Sequence, residues 1–211
     1  MTRIISGRFG GRRLSTPTGA ATRPTTDRVR ESLFSRLDHL GVLEDAVVID
    51  LFAGSGALGL EALSRGAARA VLVEKASGAA RVTRRNVTEL GASAQVVVAD
   101  AAAYLRRETD GPEYDLAFLD PPYDLGEQGL AEVLSHLAPR LHPDAVVVVE
   151  RSSRSPEPSW PAALVGFASK THGETALWYA EPAAPDHRAE AAAAAAGEGD
   201  PRAESETAQE A

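Results

Sequence analysis

Five runs dense in Val, Leu, Ile and Phe recur along this 211-residue chain, at 46–52, 70–74, 95–99, 114–120 and 145–150. Each is strand length and none alternates with polar residues, the pattern of strands covered on both faces. Between them lie amphipathic stretches. One spans 56–65. A second, 76–90, sets Ala79, Val82, Asn86 and Leu90 at helical spacing. A third places Leu130, Val133, Leu134 and Leu137 on one helical face. Strand–helix alternation of this kind predicts an α/β fold: a parallel sheet with right-handed crossovers and helices on both faces. Two further strand-like runs, 164–170 and 174–180, flank a short His-Gly turn and predict an antiparallel hairpin at the sheet edge.

Ahead of the sheet, residues 3–9 and 12–15 flank Gly10-Gly11 and predict a small hairpin. A helix is expected next, with Thr26 as N-cap and Asp27 in its first turn. Its buried stripe reads Val29, Leu33, Leu37 and Leu40, with Arg28, Arg30 and Arg36 off the stripe. The organisation that follows is a basic extension over 1–40, a main domain over 41–182 and a tail over 183–211. The tail carries no large apolar residue and is nearly all Ala, Glu, Pro and Gly, so it is expected to be disordered.

Composition removes several functions. There is no cysteine, so disulfides, Cys-ligated zinc and thiolate nucleophiles are excluded. The five histidines show no ligand spacing, and no metal is expected. No apolar run approaches the roughly 18 residues of a membrane span, and the N-terminus lacks an apolar signal core. A soluble, cytoplasmic, monomeric protein is the expectation. The net charge of −8 hides an asymmetry. Residues 1–37 carry eight arginines against Asp27 and Glu31, a balance of +6. A basic arm on an acidic body points to a polyanion reached from one end.

The first run ends in Asp50-Leu51-Phe52-Ala53-Gly54-Ser55-Gly56-Ala57-Leu58-Gly59. Gly54, Gly56 and Gly59 form a GxGxxG between strand and helix, and Glu74 ends the next strand 20 residues after Gly54. Two cofactors use this geometry. A nicotinamide dinucleotide brings a pyrophosphate, which Asp50 would repel. S-adenosylmethionine brings an ammonium and a sulfonium, which Asp50 suits. Glu74 is then poised for ribose hydroxyls, and Asp100 for the adenine amino group. Three acids thus end three consecutive strands at the edge where open α/β sheets bind ligands. The methyl donor is the favoured cofactor.

The fourth run ends in Asp120-Pro121-Pro122-Tyr123. Two prolines stop the strand and hold Asp120 extended. Asp120 and the Pro121 carbonyl make a pair of acceptors for a planar exocyclic amine. Holding both amine hydrogens biases the nitrogen toward tetrahedral geometry and restores its lone pair. Asp120, or water beyond it, takes the released proton. Tyr123 offers a flat face for the base, worth about 1–3 kcal/mol of stacking. Trp160, Trp178 and Tyr104 read instead as packing residues.

The chain resembles the RsmD family of class I S-adenosylmethionine-dependent methyltransferases. The resemblance covers about residues 1–181. It rests on Arg3-Ile4-Ile5-Ser6-Gly7, on Arg23-Pro24-Thr25-Thr26-Asp27-Arg28-Val29-Arg30-Glu31, on the loop from Asp50 through Gly59 to Leu60-Glu61-Ala62, and on Asp120-Pro121-Pro122-Tyr123. It implies a Rossmann-like fold whose seven-stranded, mostly parallel sheet has an antiparallel last strand. It implies direct in-line methylation of the exocyclic N2 of a guanine (966) in 16S ribosomal RNA, with the small ribosomal subunit particle as substrate. The donor would sit on Asp50, Ala53, Gly54, Gly56, Glu74, Asp100 and Ala101. Asp120, Pro121 and Tyr123 would hold the guanine. Arg3, Arg8, Arg12, Arg13, Arg23, Arg28 and Arg30 would contact RNA, mostly at phosphates. Alternatives from the residues alone are N6-adenine methylation of DNA or RNA, an RNA-binding module without activity and, more remotely, a nicotinamide dehydrogenase.

Overall fold

The computed structural model describes residues 2–17, 27–107, 113–122 and 124–184. Its centre is a seven-stranded sheet built from β3 (Val47–Asp50), β4 (Arg69–Glu74), β5 (Ala94–Val98), β6 (Tyr114–Leu119), β7 (Leu141–Ser152), β8 (Leu164–His172) and β9 (Thr175–Pro182). The strand order is β5-β4-β3-β6-β7-β9-β8. The first five of these strands are parallel neighbours, and β9 runs antiparallel between β7 and β8. The expected edge hairpin is present, with its second strand inserted inside the edge. A two-stranded ribbon, β1 (Thr2–Arg3) with β2 (Arg13–Leu14), precedes the sheet. It is shorter than the sequence predicts because a 3-10 turn at Gly7–Phe9 takes up its middle.

Helices α1 (Asp27–Leu40), α2 (Ala57–Ser64), α3 (Ser77–Leu90), α4 (Ala101–Arg107) and α5 (Glu127–Leu137) cover both faces. The two core layers separate accordingly. One face packs α1, α2 and the ribbon against Val48, Leu72, Phe118 and Val148. The other packs α4 and α5 against Ile49, Val73, Leu119 and Val149. Successive strand residues alternate between the layers, as strand geometry requires. The rings of Phe34 and Phe118 meet with centroids 5.8 Å apart.

Two expected helix faces are corrected. On α1, Phe34 joins Val29, Leu33 and Leu37 in the core, whereas Leu40, at the helix end, is 39% exposed. Arg30 is also buried, at 1% exposure. Its Nη2 donates to the Arg3 carbonyl oxygen and to Asp27, each at 2.8 Å. The ribbon lies over this part of α1, so a face that reads as solvated from the helix alone is covered. Arg36 packs over the Tyr179 ring, 4.7 Å from its centroid. On α3, Asn86 and Leu90 are buried as expected, with Ala80 and Thr83 in place of Ala79 and Val82. Trp160 and Trp178 pack against the second core layer, as expected.

The N-terminal segment is tied to α2 by buried polar contacts. Glu61, fully buried, accepts the amides of Ile5 at 2.6 Å and Ser6 at 3.0 Å. The Ser64 hydroxyl accepts the Phe9 amide. Gly7, at φ +79°, lies so close that a Cβ would fall 1.8 Å from the Ser64 carbonyl oxygen. The expected Thr26 cap and the 185–211 portion of the tail lie outside the described residues. No helix among the described residues is long and apolar enough to cross a membrane.

Candidate active site

A cavity of about 1160 Å³ opens at the C-terminal edge of the sheet. Asp50, Ala53, Gly54, Glu74, Asp100, Ala101 and Asp120 all line it. Residues up to 70 positions apart in the chain therefore meet, because parallel strands deliver all their C-terminal ends to one edge. Gly56 stands behind the loop as the N-cap of α2, at φ +81°. Gly59 lets α2 press onto β4, since a Cβ there would fall 2.3 Å from a Leu72 methyl. Pro121 is buried and holds the strand end, and Pro122 reaches the cavity instead. Tyr123 lies outside the described residues.

Asp50 is 1% exposed. Its Oδ2 accepts the Gly59 amide at 3.3 Å, and its Oδ1 is buried without a partner. Burial, with a smaller contribution from Glu74, pushes this carboxyl up to about 7 against the backbone donors that favour its charge. An unpartnered buried carboxylate oxygen is costly and is satisfied by a cationic donor. Glu74 receives the Gly54 amide at 2.9 Å and the Ala76 amide at 2.7 Å, one on each oxygen. A carboxylate has about four lone-pair sites, so acceptor capacity remains for hydroxyls. Thr83 on α3 donates to the Gly54 carbonyl at 2.7 Å, fixing the loop from its other side.

Asp100 caps α4. Burial opposes its charge, but the Ala103 and Ala102 amides and Lys75 outweigh that and hold it below the usual carboxylate range. Lys75 lies 3.3 Å away. Asp120 behaves oppositely. Desolvation first, then Glu150 on β7 and Asp50 on β3, raise it well above the usual range. The loop after it is anchored from β7: Arg151 donates to the Leu125 carbonyl at 3.0 Å and pairs with Glu127. A carboxyl raised by burial and neighbouring acids, at a strand end, suits a group that takes up a proton.

The expected RNA-contact arginines differ in exposure. Arg8, Arg12, Arg13 and Arg28 are exposed, and Arg3 is 61% exposed in an ion pair with Asp27. Arg23 lies outside the described residues. Arg30 is internal and reaches the cavity wall rather than the surface. Several lining residues escaped the sequence reading. Thr16 and Pro17 of the N-terminal segment reach the cavity, as do Arg81 and Arg85 of α3. Glu150 could have been found by the same strand-end rule that singles out Asp50, Glu74 and Asp100. Arg81 and Arg85, four apart on a predicted helix, carried a weaker signal. No cluster of metal-ligating side chains occurs among the described residues.

Comparison with known proteins follows this geometry closely. Residues 2–181 match the family described as Conserved hypothetical protein 95. The Ribosomal RNA small subunit methyltransferase D of Escherichia coli K12 is 40% identical over 177 residues, 82% of this chain and 86% of that protein. Its Haemophilus influenzae namesake is 35% identical over 159 residues, 73% of this chain and 80% of that protein. The solved structure of Escherichia coli yhhF is 39% identical, with a TM-score of 0.75, over 85% of this chain and 97% of that one. A match over residues 2–181, on a Rossmann-like class I methyltransferase fold, means that this chain belongs to the RsmD family.

Proposed function

We propose that this protein transfers a methyl group from S-adenosylmethionine to the exocyclic N2 amine of a guanine in small-subunit ribosomal RNA, the family expectation being position 966 of 16S RNA. The observation that carries this reading is the convergence of Asp50, Glu74, Asp100 and Asp120 on one cavity. The donor set fits the cofactor. Asp50 Oδ1 is a buried acceptor without a partner, suited to an ammonium. Glu74 retains capacity for ribose hydroxyls, and Asp100, Ala101 and Ala53 line the remainder. When bound, the donor supplies an electrophilic methyl group on a sulfonium.

The protein's own groups act on the amine. Asp120 accepts one of its hydrogens and holds the nitrogen still, a proximity contribution. With the Pro121 carbonyl as second acceptor, the nitrogen lone pair is freed for in-line attack. Asp120 then accepts the proton, which the raised direction of its pKa favours. Tyr123 provides stacking for the base, and the exposed arginines of the N-terminal ribbon meet phosphates. The enzyme is expected to act as a monomer in the cytoplasm.

The test is a transfer assay with radiolabelled donor and unmodified small-subunit particles, followed by digestion to nucleosides. Label in N2-methylguanosine supports the reading. Label in N6-methyladenosine overturns the base, and absence of label with both naked RNA and particles overturns the activity.

A further inference from the structure

Arg81 and Arg85 sit one turn apart on α3, both exposed, and both line the cavity that holds Asp50, Glu74 and Asp120. Residues at this spacing share a helical face. Arg84 stands beside them, its Nη2 donating to the Val96 carbonyl of β5 at 3.3 Å. The N-terminal ribbon is fastened to the same helix. Arg12 donates to the Glu89 carbonyl at 2.9 Å. Asn86 accepts the Ser15 amide and donates to the Ser15 carbonyl, each at 2.9 Å. The ribbon is thus fastened to α3, and its Arg12 and Arg13 are exposed as Arg81 and Arg85 are.

Glu89 meets Arg85 at 2.6 Å, but the pair is 70% and 45% exposed, and exposed pairs contribute little. Asp50 lies deeper, at the end of its strand, while Asp100 and Asp124 are exposed in the same lining. In a chain of net charge −8, a basic rim around an acidic cavity is local sorting of charge. A polyanionic strand fits the rim, while the cationic donor and the base fit the floor.

We propose that Arg81 and Arg85 bind the sugar–phosphate backbone of the RNA strand that delivers the target base, so that the RNA-contact surface crosses the cavity mouth onto α3 rather than ending with the N-terminal extension. This rests on the RNA reading above and adds two contacts that the N-terminal charge count does not contain. The strand then runs along α3 to the cavity mouth, where Arg81 and Arg85 stand. The contacts carry no base specificity; they set position.

The experiment compares wild type with the double variant R81E/R85E, using a transcript of unmodified small-subunit RNA over a salt series. Two lost phosphate contacts should weaken binding at least about tenfold near physiological salt. They should also reduce the salt slope by roughly 1.4–1.8. In turnover the loss should appear in KM for RNA. Donor affinity, measured by calorimetry without RNA, should stay unchanged. Arg69→Glu, an exposed position at the start of β4 on the opposite edge of the sheet, should leave all three quantities unchanged. An unaltered RNA affinity and slope in R81E/R85E would overturn the proposal, as would a selective loss of donor affinity. If the reversal lowers the melting temperature, R81Q/R85Q is read in its place, with the same slope expected. Methyl transfer by the wild type is scored separately, so RNA binding without transfer counts against the activity and not against this surface.

Discussion

Asp50 and Asp120 are both strand-end aspartates with raised pKa values, and their expected roles differ because their surroundings differ. Asp50 is buried against backbone donors with one oxygen free. If it meets the donor ammonium as a carboxylate, binding releases the proton it carries below about pH 7. Donor affinity should therefore improve about tenfold between pH 6 and pH 8, read by calorimetry in buffers of different ionisation enthalpy. Without donor the sign for stability is the reverse. Folding favours the protonated form, so this contribution is full below the unfolded pKa and is lost as pH rises through about 7. Asp50→Asn should bind donor worse yet melt higher than wild type above pH 7, a gap that closes toward pH 4. Asp120 faces the amine. Asp120→Ala should lose roughly 100-fold or more in turnover while donor affinity and RNA affinity persist. Unchanged turnover would remove Asp120 from the chemistry.

At the scale of elements, small residues with one permitted geometry join the N-terminal segment to the sheet. Gly7 packs on the end of α2 in a conformation and a space that only glycine fits. Gly7→Ala should cost about 2–4 kcal/mol and be visible as a lowered melting temperature. Asn86 makes three hydrogen bonds with distinct polarity: one accepted from Ser15, and one donated to each of the Ser15 and Ser55 carbonyls, the latter at 2.8 Å. It thereby couples the ribbon to the glycine loop. Asn86→Asp places a carboxylate against two carbonyl oxygens. It should destabilise by about 2 kcal/mol and weaken donor binding with it. Retained donor affinity in a destabilised Asn86→Asp protein would show that the glycine loop does not depend on this bridge.

For the molecule as a whole, the extension and the methyltransferase sheet share one core layer. Ile4, Phe9, Leu14, Leu33 and Leu37 pack with Val48, Leu60 and Phe118. Packing therefore continues without a break across residue 40. Unfolding should be a single cooperative transition, with fluorescence and far-UV signals coincident in urea. Removing residues 1–40 should leave an aggregating protein rather than a smaller soluble enzyme, because it strips the cover from that face of the sheet. Two separated transitions would contradict this.

The α/β class, the seven strands and the glycine loop were legible in the chain, because unbroken apolar runs of strand length and helix periodicity of about 3.6 residues are local patterns. Asp50, Glu74, Asp100 and Asp120 were legible for a related reason: parallel strands bring their C-terminal ends to one edge, so order along the chain becomes position in space. The burial of Arg30, the rotation of the α3 face and the reach of Arg81, Arg85 and Thr16 into the cavity were decided only by tertiary structure. The burial of Arg30 and the reach of Thr16 depend on where the N-terminal ribbon lies across α1, α2 and α3. That placement is set by Glu61, Ser64 and Asn86, which bond to backbone 55 to 71 residues away. Local periodicity carries no trace of contacts at that range.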